Sequence, residues 1–131
     1  MGTIRKFEDL EAWRHSRALV QEVYSITAGG AFAKDFGLRD QIRRASVSIM
    51  ANIAEGYERD DNAEYIRFLS IAKGSVGEVK SHLYIARDQN YLNQDQFDHM
   101  FSITDRLGKL IGGLMIYLKM VGFKGKKFKL S

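Results

Sequence analysis

Two pairs of residues have the types that hold metal ions in helical proteins. Glu11 and His15 lie four apart, and so do Glu78 and His82. Di-metal bundles use Glu-x-x-His on two helices and a glutamate from each of the other two. Here the spacing is one residue longer, and His99, after Asp98, has no matching partner. Three histidines on three segments read as surface or capping residues, so neither a metal nor another cofactor is expected. The absence of cysteine excludes disulfides, thiolate catalysis and cysteine-based zinc sites. No nucleophile–base pair, phosphate loop or paired-carboxylate arrangement is recognisable, and no enzymatic activity is expected.

The basic residues suggest a different chemistry, contact with a polyanion. Arg39, Arg43 and Arg44 lie within two helical turns, with Lys34 just before them, and Arg5 and Lys6 stand near the N-terminus. Residues 122–131, GFKGKKFKLS, hold Lys124, Lys126, Lys127 and Lys129 and no acid. The chain of 131 residues has 20 basic and 16 acidic side chains, a net charge of +4. The whole excess therefore sits in that tail, and the body is charge-balanced. Phosphate backbones reward lysine and arginine clusters through counterion release, and Phe123 and Phe128 could stack on bases. Arg39, Arg43, Arg44 and the four tail lysines are the candidate nucleic-acid-binding residues. Many solvated helix faces carry similar charge, and no zinc-finger, RNP or GXXG motif is present. An interaction scaffold that binds partner helices in its grooves is the competing reading.

A polar row on the second helical segment adds a structural candidate. At about 100° per residue, Gln41, Arg44, Ser48, Asn52 and Glu55 share a stripe about 80° wide. The apolar residues Leu38, Ile42, Ala45, Ile49 and Ile53 fill the adjoining stripe. The polar row thus borders the core face, where its members need hydrogen-bond partners. In the third segment Gly74, Ser75, Gly77 and Glu78 form a complementary cluster. Each glycine inside a helix costs about 1 kcal/mol against alanine. That cost suits a close approach of another backbone. The expectation is a polar seam, with Ser48, Asn52 and Glu55 bonded to backbone or to Ser75.

The elements that must position these residues are helical. Apolar residues recur three and four apart from about Asp9 to Thr27, Leu38 to Ala54, Asn62 to Arg87, and Gln94 to Val121. Gly29 and Gly30 mark the end of the first helix and residues 29–37 a loop. Gly56 marks a stop, and Asp61 and Asn93 are N-caps. The chain has no proline to break long helices. Short connections favour antiparallel neighbours, so the fold class is all-α, an up-down-up-down four-helix bundle. The bundle domain is placed at residues 1–121, with a basic C-terminal tail at 122–131. Trp13, Phe68, Phe97 and Phe101 fall at core spacings, whereas Tyr57 could anchor a subunit contact.

The N-terminal MGTIRKFEDLEAW has charges where a signal peptide needs an apolar run, so a cytoplasmic protein is expected. The stretch LIGGLMIYL at residues 110–118 is too short to span a bilayer, which needs about 20 residues. Gly108 and Gly112 within and before it suit close helix contact. The fourth helix and the tail could also touch an anionic lipid surface.

LRDQIRRASVSIMANIAEG at 38–56, FLSIAKGSVGE at 68–78 and FEDLEAW at 7–13 together resemble the small bacterial four-helix-bundle proteins called 23S ribosomal RNA intervening-sequence proteins. That family is similar to the accessory protein of diversity-generating retroelements, which works with a reverse transcriptase and RNA. The resemblance spans roughly residues 7–121. It implies an up-down bundle that assembles as a ring-like homopentamer and associates with nucleic acid, RNA before others, or with a polymerase. Relatives usually read FPxxE in the first loop where this chain reads FAKDF at 32–36, with Ala33 in place of the proline.

Overall fold

The computed structural model describes residues 4–121 of the chain. A 3-10 turn at Phe7–Asp9 leads into α1 (Glu11–Ile26), followed by the short α2 (Gly30–Lys34), α3 (Phe36–Glu58), α4 (Asn62–Asp88) and α5 (Gln94–Met120). The long helices α1, α3, α4 and α5 form an antiparallel up-down-up-down bundle. Each packs on the next, and α5 closes back on α1. The tail lysines Lys124, Lys126, Lys127 and Lys129 lie outside the described residues.

Side chains close the helix starts. The Asp35 carboxylate accepts from the Leu38 N–H at 3.1 Å, and Asp61 accepts from the Ala63 N–H at 3.0 Å. Asn93 and Gln96 form a reciprocal capping box, with bonds of 2.8 and 2.9 Å. Each satisfies backbone donors that the first turn leaves unpaired.

The core is a continuous apolar column that includes Leu19 and Val23 of α1, Ile42, Ile49 and Ile53 of α3, Leu69, Val79 and Leu83 of α4, and Leu107, Ile111 and Leu118 of α5. Helix α1 turns Ala12, Ser16, Leu19 and Val23 fully inward. Of its other apolar residues, Trp13, Val20 and Ile26 are only half-buried, Trp13 against Phe7 at 5.2 Å between ring centroids. Phe68 and Phe97 are buried and Phe101 is half-buried.

Three expectations are corrected. Residues 29–37 are not a plain loop. Gly30, at φ +65°, starts the single-turn helix α2, which plugs Phe32 into the core, stacked 5.2 Å from Tyr91. Ala33 belongs to this turn, and its N–H donates to the Gly29 carbonyl at 3.4 Å, a bond proline could not make. Gly56 does not stop α3, which runs on to Glu58. Instead the glycine lets α4 come close: a Cβ added there would lie 2.9 Å from Phe68 Cβ and 3.2 Å from the Tyr65 carbonyl oxygen. Tyr57 is no surface anchor. It is buried at 2% exposure and meets Tyr65 edge-on at 6.2 Å, because the extra turn of α3 carries it over the core.

Candidate nucleic-acid interface

The three candidate arginines of α3 lie in different settings. Arg39 is locally satisfied: Nε donates to Asp40 at 2.9 Å, Nη1 donates to the Ala33 carbonyl at 3.2 Å, and the guanidinium lies 4.9 Å from the exposed Phe36 ring. Arg43 ties α3 to the end of α1. Its Nε donates to the Thr27 hydroxyl oxygen at 2.8 Å and its Nη2 to the Thr27 carbonyl at 3.4 Å. The same guanidinium covers the Tyr24 ring at 4.5 Å. Thr27 is itself fully buried and donates to the Val23 carbonyl at 2.7 Å. Arg44 is exposed, and no acid pairs with it among the described residues.

Arg43 and Arg44 line one groove of about 510 Å3, together with Tyr24, Asp40, Val47 and Ser48. Asp40 is already engaged by Arg39, so the groove carries uncompensated positive charge. Tyr24, Asp40 and Val47 are the lining residues that sequence reading missed. Tyr24 stands off the apolar stripe of α1, and an aromatic residue off a core stripe was the available signal.

The polar row splits between two roles. Ser75 is buried on α4 and its hydroxyl donates to Ser48 Oγ at 3.1 Å. Asn52 donates from Nδ2 to the Ser48 carbonyl at 2.8 Å and to Ser48 Oγ at 3.1 Å. Glu55 turns away and takes Arg59 at 2.8 Å on the exposed side. Gln41, Arg44 and Ser48 face Glu78 across an outer cleft between α3 and α4, of about 290 Å3. Gly74 and Gly77 were expected to admit a neighbouring helix, but a Cβ at either would meet nothing within 4 Å among the described residues. Both are exposed on α4, and Gly77 opens into a groove shared with α5.

The remaining charged groups sit in small local arrays. Asp105 of α5 accepts from Lys80 of α4 at 2.8 Å and pairs with Lys109 at 3.2 Å, and these bonds hold its carboxyl below the usual range. The histidines are apart: His15 lies 3.6 Å from Glu11, His99 lies 3.0 Å from Glu22, and His82 is half-buried on α4. Among the described residues no group of three or more acids and histidines is placed to hold a metal ion. No helix among them is long and apolar enough to cross a membrane.

Fold and surface together define a helical bundle whose described polar features are seams between helices and open grooves. The family model of the 23S rRNA-intervening sequence proteins matches residues 8–113, and the chain belongs to that family. Among solved structures, a protein of unknown function from the S23 ribosomal protein family of Bacteroides thetaiotaomicron superposes with a TM-score of 0.73 at 22% identity. The match covers 79% of this chain and 97% of that one. That likeness is one of fold. No curated protein matches the chain.

Proposed function

We propose that this chain is a non-catalytic, oligomeric RNA-binding protein of the cytoplasm. The observation that carries the reading is the α1–α3 groove, where Arg43 and Arg44 stand together and the neighbouring acid is taken by Arg39. Such a groove attracts phosphate, and the family's name joins its members to ribosomal RNA. The tail lysines would add positive charge, and copies arranged in a ring, a homopentamer by the family resemblance, would sum weak sites by avidity. Gly74 and Gly77 suit such assembly, since their open surface on α4 leaves room for the backbone of another copy.

The test is binding of a structured RNA across a salt series, with the full chain and with a chain ending at Val121. Log K is expected to fall linearly with log salt. Removing the tail should lower the slope by up to about 3–4 units, and Arg44→Gln should lower it by about 0.7–0.9. No binding at low salt by the full chain sinks the reading.

A second reading has its own support. The groove between α4 and α5, about 570 Å3, is floored by Gly77, Gly108, Gly112 and Gly113 and flanked by Ile116, which is 61% exposed. Such a surface suits a partner helix. A scaffold serving a nucleic-acid enzyme such as a reverse transcriptase would bind that protein with little dependence on salt.

A further inference from the structure

We propose that the α1–α3 groove is a subsite for one unpaired nucleotide of single-stranded RNA, with the base stacked on Tyr24 and its phosphate on Arg44. This inference rests on the RNA-binding reading and adds a strand preference to it.

Stacking is strongest on an aromatic ring that is both accessible and already held in place. Tyr24 is 44% exposed and lines the groove. Its position is fixed by Arg43, whose guanidinium lies 4.5 Å from the ring centroid and is anchored to Thr27 by two hydrogen bonds. A ring ordered in advance loses little freedom when a base arrives. Val47, 42% exposed, supplies an apolar neighbour for the base. Base–aromatic stacking tolerates any base, because every base has a π-face, but it needs that base unpaired.

The polar groups of the groove complete the site. Arg44 offers a fork of donors without an acid partner among the described residues, a geometry that suits phosphate oxygens. Asp40 lies in the same groove, but its carboxylate is bonded to Arg39. Ser48 Oγ accepts from both Ser75 and Asn52, which leaves its own proton for an acceptor in the groove. The volume, about 510 Å3, is within the range of small-ligand pockets. A duplex would present phosphates to Arg44 but hide its base faces from Tyr24. Discrimination between strands therefore falls to the tyrosine.

The experiment compares an adenine oligoribonucleotide of about eight nucleotides with a duplex RNA, by fluorescence anisotropy on the full chain. Tyr24→Leu is expected to weaken the single strand about 10-fold and to leave duplex binding and the salt slope unchanged. Tyr24→Phe, which keeps the ring, should bind as the parent does, and the unchanged duplex binding of Tyr24→Leu shows that its loss is not misfolding. Arg44→Gln should weaken both RNAs and lower both slopes by about 0.7–0.9. Equal affinity of Tyr24→Leu and the parent for the single strand overturns the subsite while leaving RNA binding in place, and so does an equal loss on both RNAs. Displacement of the oligonucleotide by micromolar AMP makes the groove a mononucleotide site and overturns the strand proposal. A parent chain that binds neither RNA overturns the subsite together with the reading beneath it.

Discussion

The hydroxyl of Ser75 on α4 donates to the hydroxyl of Ser48 on α3 across 3.1 Å, and Asn52 donates to the same oxygen from one turn further along α3. Ser75 is 5% exposed, so the bond is shielded from water. A hydrogen bond in this setting contributes about 0.5–1.5 kcal/mol. Ser48→Ala and Ser75→Ala should each lower the unfolding free energy by that amount in urea titrations. The double variant should lose less than the sum, since both changes remove the same bond. Strict additivity would show that the two hydroxyls do not cooperate. Asn52→Leu should also destabilise, because it deletes both bonds to Ser48.

Two glycines of neighbouring helices should respond in opposite ways to alanine. At Gly56 the new Cβ would stand 2.9 Å from Phe68 Cβ, which is fixed to backbone and cannot swing aside. Forcing the helices apart costs about 1–3 kcal/mol, more than the helix-propensity gain of about 1 kcal/mol. At Gly77 the Cβ would meet nothing within 4 Å among the described residues, so only the gain remains. Thermal unfolding of the dilute protein should therefore rank Gly77→Ala above the parent and the parent above Gly56→Ala. A stabilised Gly56→Ala would refute the close packing described here.

That contrast shows where the sequence was legible and where it was not. A glycine inside a helix signals room for another backbone, but its type does not say which backbone. Gly74 and Gly77 drew attention by clustering with Ser75, whereas the tightest intramolecular contact is at Gly56, which its position made look like a terminator. Helix number and type were legible because apolar spacing is set by the core, and the α3 stripe from Leu38 to Ile53 is buried throughout. The plug at Phe32 was not, because five residues are too few to show a period. Buried Ser16, Ser46 and Thr104 also escaped notice. Each satisfies its hydroxyl on a carbonyl of its own helix, three or four residues back, and so needs no partner that a pattern could reveal. Of the candidate site, the arginines were visible as charge. That Arg43 anchors to Thr27, while Arg44 has no acid partner among the described residues, depends on how α1 ends, which is a tertiary property.

Asp105 bridges α4 and α5 through Lys80 and adds Lys109 from its own helix. Hydrogen bonds from both lysines lower its pKa from the ordinary 3.8. A carboxyl with a depressed folded pKa stabilises the fold above its unfolded pKa, and the contribution fades as pH falls through the folded one. Asp105→Asn should therefore melt below the parent near neutral pH, and the gap should close well below pH 3.8. The group is solvent-accessible, so high salt should narrow the gap as well. A gap that persists unchanged in strong acid would assign the loss to packing rather than charge.

His82 supplies a pH response of the same sign through a different cause. Its Nδ1 is buried and has no hydrogen-bond partner among the described residues. Burial lowers its pKa below the ordinary 6.5, and Glu78, one turn earlier, only partly opposes this. The folded chain therefore prefers the neutral ring, while the unfolded chain gains a proton first as pH falls. Stability is fully present above pH 6.5 and is lost as pH drops through the folded pKa. Melting temperatures measured from about pH 8 down to about pH 5 should fall in the parent and fall less in His82→Gln, which keeps a polar side chain but cannot take up a proton. The two proteins should diverge only below pH 6.5. Parallel curves across that range would show that protonating His82 costs the fold nothing, and would place the acid response elsewhere in the bundle.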